Sequence, residues 1–495
     1  MKTRWILKSL ILLVISFVTN IGLRESLPAA EHLNVLFFLV DDLRPELGCY
    51  GNQHVKTPNI DALAKAGVRF ERAYCQFPLC NPSRSSMLTG RHPPVTGVLD
   101  NSTWFGATHP DFVSLPRHFK DNGYSVLRTG KVFHGGIDDA DAWTEGGEKR
   151  TFEGAISNRK PPVNQKQNSD RIVVLDGDGE SHQDYKTAIR AIDYLRRHSD
   201  SSSGKPFFLC CGFTKPHSPP TAPKRFIDMY DLKSVPLPPD FQPRPTVPEG
   251  FPKPSLNARN GDLFVERDAS PDEAREMIRA YWASLTWTDW NLGRVMAELD
   301  TLKLREKTII VFWGDHGYHL GEKGKWSKHG SLWEIGTRVP LIVIDPKAKG
   351  NGSSSPRPVQ SLDLYPTLCE LCGLSTPSGL AGHSLKPLLA NPRAEWSHPA
   401  FTVFGNAKGV SGVAVRTQRY RYVEYDGGKS GTMLFDEQAD PHELKNLADN
   451  PNLADDPNLA DDPNLADDPN LADDPNLAAI KTELSKLAKQ HAGVR

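Results

Sequence analysis

The sequence carries no surplus charge of either sign: 59 lysines and arginines face 60 aspartates and glutamates, for a formal net charge of -1 over 495 residues. That balance argues against nucleic acid or an anionic membrane surface as a partner. Long apolar runs are missing as well. The N-terminal one, Ile11 to Val18, falls short of the roughly 20 residues that a membrane span needs. Cysteine is sparse and odd in number, at seven, so disulfides cannot consume every thiol. Glycine (39) and proline (40) make up about a sixth of the chain, below a low-complexity composition. What remains is a loop-rich globular protein, long enough for one large domain or two or three ordinary ones.

Lys2, Arg4 and Lys8 precede the short apolar run, and Ala29-Ala30 offers a small-residue cleavage point. This pattern predicts an export signal over residues 1–30 and a periplasmic or secreted mature protein with no stable membrane span. Cys210-Cys211 lies inside an apolar run, where neighbouring side chains point to opposite faces, so buried free thiols suit it at least as well as disulfides. Cys369-x-x-Cys372 resembles a redox or zinc pair, but no second pair completes four metal ligands.

Short, continuous apolar runs recur at Asn34–Val40, Tyr124–Thr129, Pro206–Gly212, Thr308–Trp313 and Val339–Ile344, as buried parallel strands require. Helical patterns lie between them: Thr57–Ala66, Pro116–Gly123, Tyr185–His198 and a long helix from Ser270 to about Leu299, opened by a capping box. The alternation predicts an α/β fold, a large and mostly parallel sheet sandwiched by helices. Asp138–Gln183 and Pro219–Pro254 read as irregular surface segments. Four apolar runs end in Asp41-Asp42, Lys131 to His134, Lys215 to His217, and Asp315-His316. In such sheets the carboxyl ends of the strands form the ligand edge. Carboxylates gathered there repel one another unless a hard divalent cation joins them, so Asp41, Asp42 and Asp315 with His316 form a candidate metal set for Ca²⁺ or Mg²⁺.

The other candidate is Cys80-Asn81-Pro82-Ser83-Arg84. Pro82 suits the first turn of a helix that Gly90 can end, which places Cys80 at a helix N-terminus, with Arg84 one turn along. This pentapeptide, continued by Leu88-Thr89-Gly90-Arg91, resembles the signature of the type I sulfatases of the alkaline phosphatase superfamily. Thr129 to His134, Gly314 to Glu322, Trp326-Ser327-Lys328 and Asp440 to Leu447 look like the iduronate-2-sulfatase branch of that family. The resemblance runs from Asn34 to about Asn446.

It implies that a formylglycine-generating enzyme oxidises Cys80 to an aldehyde, whose hydrate attacks sulfur, and that the substrate is a sulfated saccharide. It also implies one divalent cation, Ca²⁺ first and Mg²⁺ second, on Asp41, Asp42, Asp315, His316 and the modified Cys80. Arg84, Lys131 and Lys328 would hold sulfate, His217 would protonate the leaving alcohol, and His134 would help expel sulfate. A phosphodiesterase or phosphonate hydrolase of the same superfamily, or a non-catalytic carbohydrate-binding relative, are the alternatives. His54, His109, His319 and His329 carry no assigned role, and Tyr318 and Trp326 either line a sugar subsite or merely pack.

The catalytic domain is expected over 31–395 and a C-terminal subdomain over 396–495, with a small antiparallel sheet and a helix from Ala479 to His491. Between them the hexapeptide Asn-Leu-Ala-Asp-Asp-Pro recurs, with slight variation, over 446–475. Proline every sixth residue forbids a continuous α-helix there.

Overall fold

Asn34–Val40 (β1) is buried along its whole length because a parallel strand flanks it on each side. The computed structural model describes residues 32–150, 170–202, 204–406, 408–448 and 477–492. Its two compact units are Met1–His32 and Leu33–Arg495, and of the first only His32 is described. The expected export signal and the repeat beyond Ala448 lie outside the described residues.

After β1 come Val68–Tyr74 (β2), Ser125–Gly130 (β3), Val173–Leu175 (β4), Phe207–Phe213 (β5), Thr221–Pro223 (β6), Thr308–Gly314 (β7), Arg338–Ile344 (β8) and Ser354–Gln360 (β9). Seven of these form one sheet in the order β3-β5-β1-β7-β8-β2-β9. All its pairings are parallel except those of β8, which runs against both its neighbours. Side-chain alternation splits the core in two. Leu36, Phe38 and Val40 face the helices Pro58–Ala66, Gln183–Ser199 and Pro271–Thr301, while Val35, Phe37 and Leu39 face Cys80–Thr89, Leu115–Asp121 and Leu364–Leu371. Both faces are therefore dry, which is why the strands are apolar throughout.

Register sets the site. Val40 lies opposite both Phe213 and Gly314, and Gly130 opposite Gly212. Four strands thus end level, and the residues that follow them start at one edge. Gly130, at φ +72, and Gly212 let β3 and β5 close up there: a Cβ on Gly130 would strike Gly212 O, and one on Gly212 the backbone of Lys131, just past β3.

The long helix Pro271–Thr301 opens with the expected box, Ser270 accepting from Glu273 N and Glu273 from Ser270 N. It also supplies a cap to a neighbour. Thr57 makes no side-chain cap to the Pro58–Ala66 helix; instead Asp289 accepts from Ile60 N at 2.7 Å and Asn59 N at 3.3 Å. Asp289→Ala leaves buried amide donors unpaired, and chemical denaturation should register a loss of about 1–3 kcal/mol.

The irregular reading changes for two segments, the first being Asp138–Gln183, which contributes β4. Pro219–Pro254 is not wholly irregular: β6 pairs with β4, and Lys224–Ile227 is a short helix burying Phe226 and Ile227. All seven cysteines are free thiols, six of them buried. Ala400–Asn406 (β10), Gly409–Arg416 (β11), Tyr420–Tyr425 (β12) and Thr432–Asp436 (β13) form the small antiparallel sheet. One face takes Ile480, Leu484 and Ala488 of the Leu477–Ala492 helix. The other packs Val423, Tyr425, Met433 and Phe435 on Leu332 and Trp333. Arg421 of β12 donates to Leu332 O at 3.0 Å and pairs with Glu334 at 3.2 Å, bracing the loop after β7.

Candidate active site

Asp41 and Asp42 leave β1 through a tight turn in which Asp42 has φ +57, a left-handed conformation uncommon outside glycine. Two bonds hold it: Tyr281 OH donates to Asp42 O at 2.7 Å, and Asp42 N donates to Asp315 Oδ1 at 3.1 Å. Across the edge, the Cys80–Thr89 helix is buried at every residue. Asn81 locks its first turn by donating to Asp100 O at 2.8 Å and Thr103 O at 2.7 Å. Ser83 Oγ donates to Asp315 O, tying the helix to the end of β7.

Cys80, 1% exposed, points its sulfur at Asp41 Oδ1 (3.3 Å) and stands 3.3 Å from His316 Nε2. Burial and Asp41 oppose its ionisation, yet Lys131, Lys328 and His316 together hold the thiol well below its usual pKa. Arg84 reaches back as its position on the helix suggests. Its Nε donates to Asp315 Oδ2 at 2.8 Å, Nη1 donates to Lys131 O and Val132 O at 2.7 and 3.0 Å, and Nη2 lies 3.7 Å from Asp41. One nitrogen of the guanidinium thus braces Asp315 and one the chain after β3, while buried Nη2 makes no hydrogen bond.

The donor set fits a hard divalent ion. Ligand atoms of Asp41, Cys80, Asp315 and His316 lie within 4.8 Å of one another, as do those of Asp41, Asp42, Cys80 and His217. Asp42 Oδ1 is buried and accepts no hydrogen bond. His316 pairs Nδ1 with Gly317 O at 3.0 Å, which turns Nε2 toward Asp42 Oδ1 and Asp315 Oδ1, 3.5 Å from each. His316 Nε2, the three carboxylates and the sulfur crowd electron-rich atoms together, an arrangement that a positive charge among them, a proton or a divalent ion, stabilises. The titration directions agree. Burial and then Asp41 push Asp315 up to about 7, while burial opposes but Asp315 and Cys80 raise His316 to about 10.

Cations and imidazoles ring this cluster. Lys131 Nζ donates to Asp41 Oδ2. Lys328 Nζ lies 3.0 Å from either Asp42 oxygen, hydrogen-bonded to Oδ2, and 3.2 Å from His217 Nε2. His217 pairs Nδ1 with Ser218 O at 2.7 Å. Its pKa is raised, burial being outweighed chiefly by Asp42, whereas burial lowers that of His134 despite the nearby Cys80. The surroundings thus push the two imidazoles in opposite directions. The structure therefore gathers Asp41, Asp42, Cys80, Arg84, Lys131, His134, His217, Asp315, His316 and Lys328 around one point.

Tyr318 and Trp326 do not line an open subsite. Both are buried, with Tyr318 OH donating to Trp326 O at 3.3 Å. His319 pairs with Ser331 Oγ at 2.6 Å, and His54 stacks on Trp282. Sequence reasoning missed the supports: Tyr281, Asp262 (3.2 Å from Lys328) and Asp184, which accepts from Thr214 N and Lys215 N. Asp184 opens a helix, and no spacing links it to the site; a lone acidic residue in a Gly/Asn-rich loop gives no signal for Asp262 either.

Residues 33–374 match the Sulfatase family model, and 321–490 match the C-terminal model of N-sulphoglucosamine sulphohydrolase. A sulfatase of Formosa agariphila is 34% identical over 84% of this chain and 83% of its own. Iduronate 2-sulfatase of Homo sapiens is 35% identical over 70% of each. Among solved structures, phosphonate monoester hydrolase of Agrobacterium radiobacter aligns with a TM-score of 0.68 at 22% identity, covering 92% of this chain and 95% of that one.

Proposed function

This chain belongs to the sulfatase family, and from that premise we propose that it hydrolyses O-sulfate esters on a carbohydrate, using a formylglycine made from Cys80. The observation that carries the proposal is the seat of Cys80: a sulfur 3.3 Å from Asp41 and 3.3 Å from His316, at the mouth of a carboxylate cluster that fits a divalent ion. A 2-sulfated uronic acid is the favoured sugar, by likeness to iduronate 2-sulfatase. The enzyme is a sulfuric ester hydrolase in any case.

Asp41, Asp42, Asp315 and His316, with position 80, would hold the ion, Ca²⁺ in preference to Mg²⁺. Once bound, it supplies Lewis-acid polarisation of the sulfate and favours a deprotonated hydroxyl at position 80. The chain's own residues do the rest. Arg84 braces Asp315 and Asp41, so that the carboxylates keep their places as charge shifts. Lys131 and Lys328 lie where sulfate oxygens gain negative charge. His217 gives a proton to the departing sugar oxygen through Nε2, since Nδ1 is engaged by Ser218 O. His134 takes the proton whose removal lets position 80 release sulfate, contributing on the order of 10²–10⁴-fold.

Export through residues 1–30 would deliver the mature chain to the periplasm or beyond. Among the described residues no helix is long and apolar enough to cross a membrane. The catalytic part is assigned to 31–395 and the C-terminal subdomain to 396–495. The test is coexpression with a formylglycine-generating enzyme, peptide mass spectrometry across Cys80, and turnover of 4-nitrophenyl sulfate, an aryl phosphonate and a 2-O-sulfated uronate disaccharide. An aldehyde at position 80 with sulfate turnover is expected. A free thiol in active protein, or preference for the phosphonate, overturns the reading.

A further inference from the structure

The loop that carries Lys328 is fastened to a second loop. Trp326 N donates to Asn260 Oδ1 at 2.8 Å, Asn260 Nδ2 to Gly324 O at 3.2 Å, and Leu263 N to Trp326 O at 3.3 Å. In the middle of this clasp, Asp262 sends its carboxylate to Lys328, with Oδ2 3.2 Å from Nζ. The approach is a charge contact rather than an aligned hydrogen bond, because Oδ2 counts no hydrogen-bond donor. Lys328 itself is 3% exposed and stands between Asp42, His217 and Asp262.

We infer that Asp262 is a positioning residue for sulfate ester cleavage, holding the Lys328 ammonium against His217 so that a proton reaches the leaving oxygen. The inference rests on the sulfatase reading above. Asp42 is the only other carboxylate within ion-pair distance of Lys328 among the described residues, and in that reading its charge serves the divalent ion. Asp262 then becomes the principal anchor of a flexible four-carbon stem whose ammonium has no fixed donor direction of its own. Nothing else in the clasp replaces it, since Asn260 and Leu263 bond only backbone groups. The same carboxylate also faces a second cation. Lys325 Nζ is fully buried with no hydrogen bond; burial lowers its pKa to about 8, Asp262 opposing. An uncharged residue at 262 would leave two buried lysines without this counter-charge, free to push the Lys328 head group away from His217.

Proton delivery matters in proportion to the basicity of the leaving oxygen. As the S–O bond breaks, a sugar alkoxide takes its proton from His217, while a nitrophenolate departs without one. Asp262→Asn and Asp262→Glu are therefore to be compared in the matured full-length enzyme on 4-nitrophenyl sulfate and on a 2-O-sulfated uronate disaccharide. Asp262→Asn is expected to lower kcat on the disaccharide by on the order of 10–10²-fold with KM little changed, and on the nitrophenyl ester, which needs Lys328 for its sulfate but no proton for its leaving group, by about tenfold less. Asp262→Glu should restore most of the loss. Equal losses on both substrates, a change confined to KM, or no loss would each overturn the positioning role while leaving the sulfatase reading intact. Failure of the unsubstituted enzyme to cleave either sulfate overturns the parent reading, and this one with it.

Discussion

Replacing Cys80 by alanine is expected to lower kcat for sulfate esters by on the order of 10⁴-fold or more, leaving only what binding and charge supply. No neighbour can take over. Asp41, Asp42 and Asp315 are engaged by Lys131, Lys328 and Arg84, and the nearby Ser83 hydroxyl is spent on Asp315 O. Cys80→Ser should be nearly as damaging, because a serine ester of sulfate has no second hydroxyl with which to expel its product. The check is steady-state kinetics on the matured protein beside a thermal melt. Cys80 fills little volume at the helix start, so the melt should move far less than the rate. Alanine with undiminished turnover would end the covalent account.

The second large effect concerns Arg84. Its guanidinium is fully buried, pairs with Asp315 at 2.8 Å and donates to two carbonyls. Arg84→Met removes one half of a buried ion pair and leaves a carboxylate and two acceptors bare, a loss of roughly 3–5 kcal/mol. Guanidinium unfolding in chelator should show it as a lower midpoint with unchanged slope. The double variant with Asp315→Asn should recover part of the loss, since a neutral amide needs no counter-charge, and the shortfall from additivity measures the pair. A midpoint unmoved by Arg84→Met would mean that the ion pair contributes nothing net.

Much of the framework was legible because burial on both faces forces a strand to be apolar along its length. β1, β5 and β7 could not hide, and the polar residues that end them could be read as one edge. The strands beyond β7 were harder. β2 reads Val-Arg-Phe-Glu-Arg-Ala-Tyr, with charges interleaved, because Arg69, Glu71 and Arg72 lie part-exposed toward the sheet margin. β9 contains Pro356 and Pro358, tolerable only because it is the edge strand, with one side free of ladder bonds. The reversal of β8 left no trace in composition. At the site, the candidate residues either follow strand ends (Asp41, Asp42, Lys131, His134, His217, Asp315 and His316) or belong to short local motifs (Cys80, Arg84 and Lys328), and both signals are visible in the sequence. Those that hold them (Tyr281, Asp184 and Asp262) sit on helices and loops whose distance along the chain hides their nearness in space.

The helix that begins at Cys80 is buried at all ten of its positions, and the sulfur itself is 1% exposed. No visiting enzyme can grip such a segment on the finished protein. On the proposed formylglycine reading, oxidation of position 80 would therefore have to compete with collapse of the chain around it, while the pentapeptide is still extended. In that reading a molecule that closed early would keep its thiol, and the active fraction of a preparation would be fixed during synthesis.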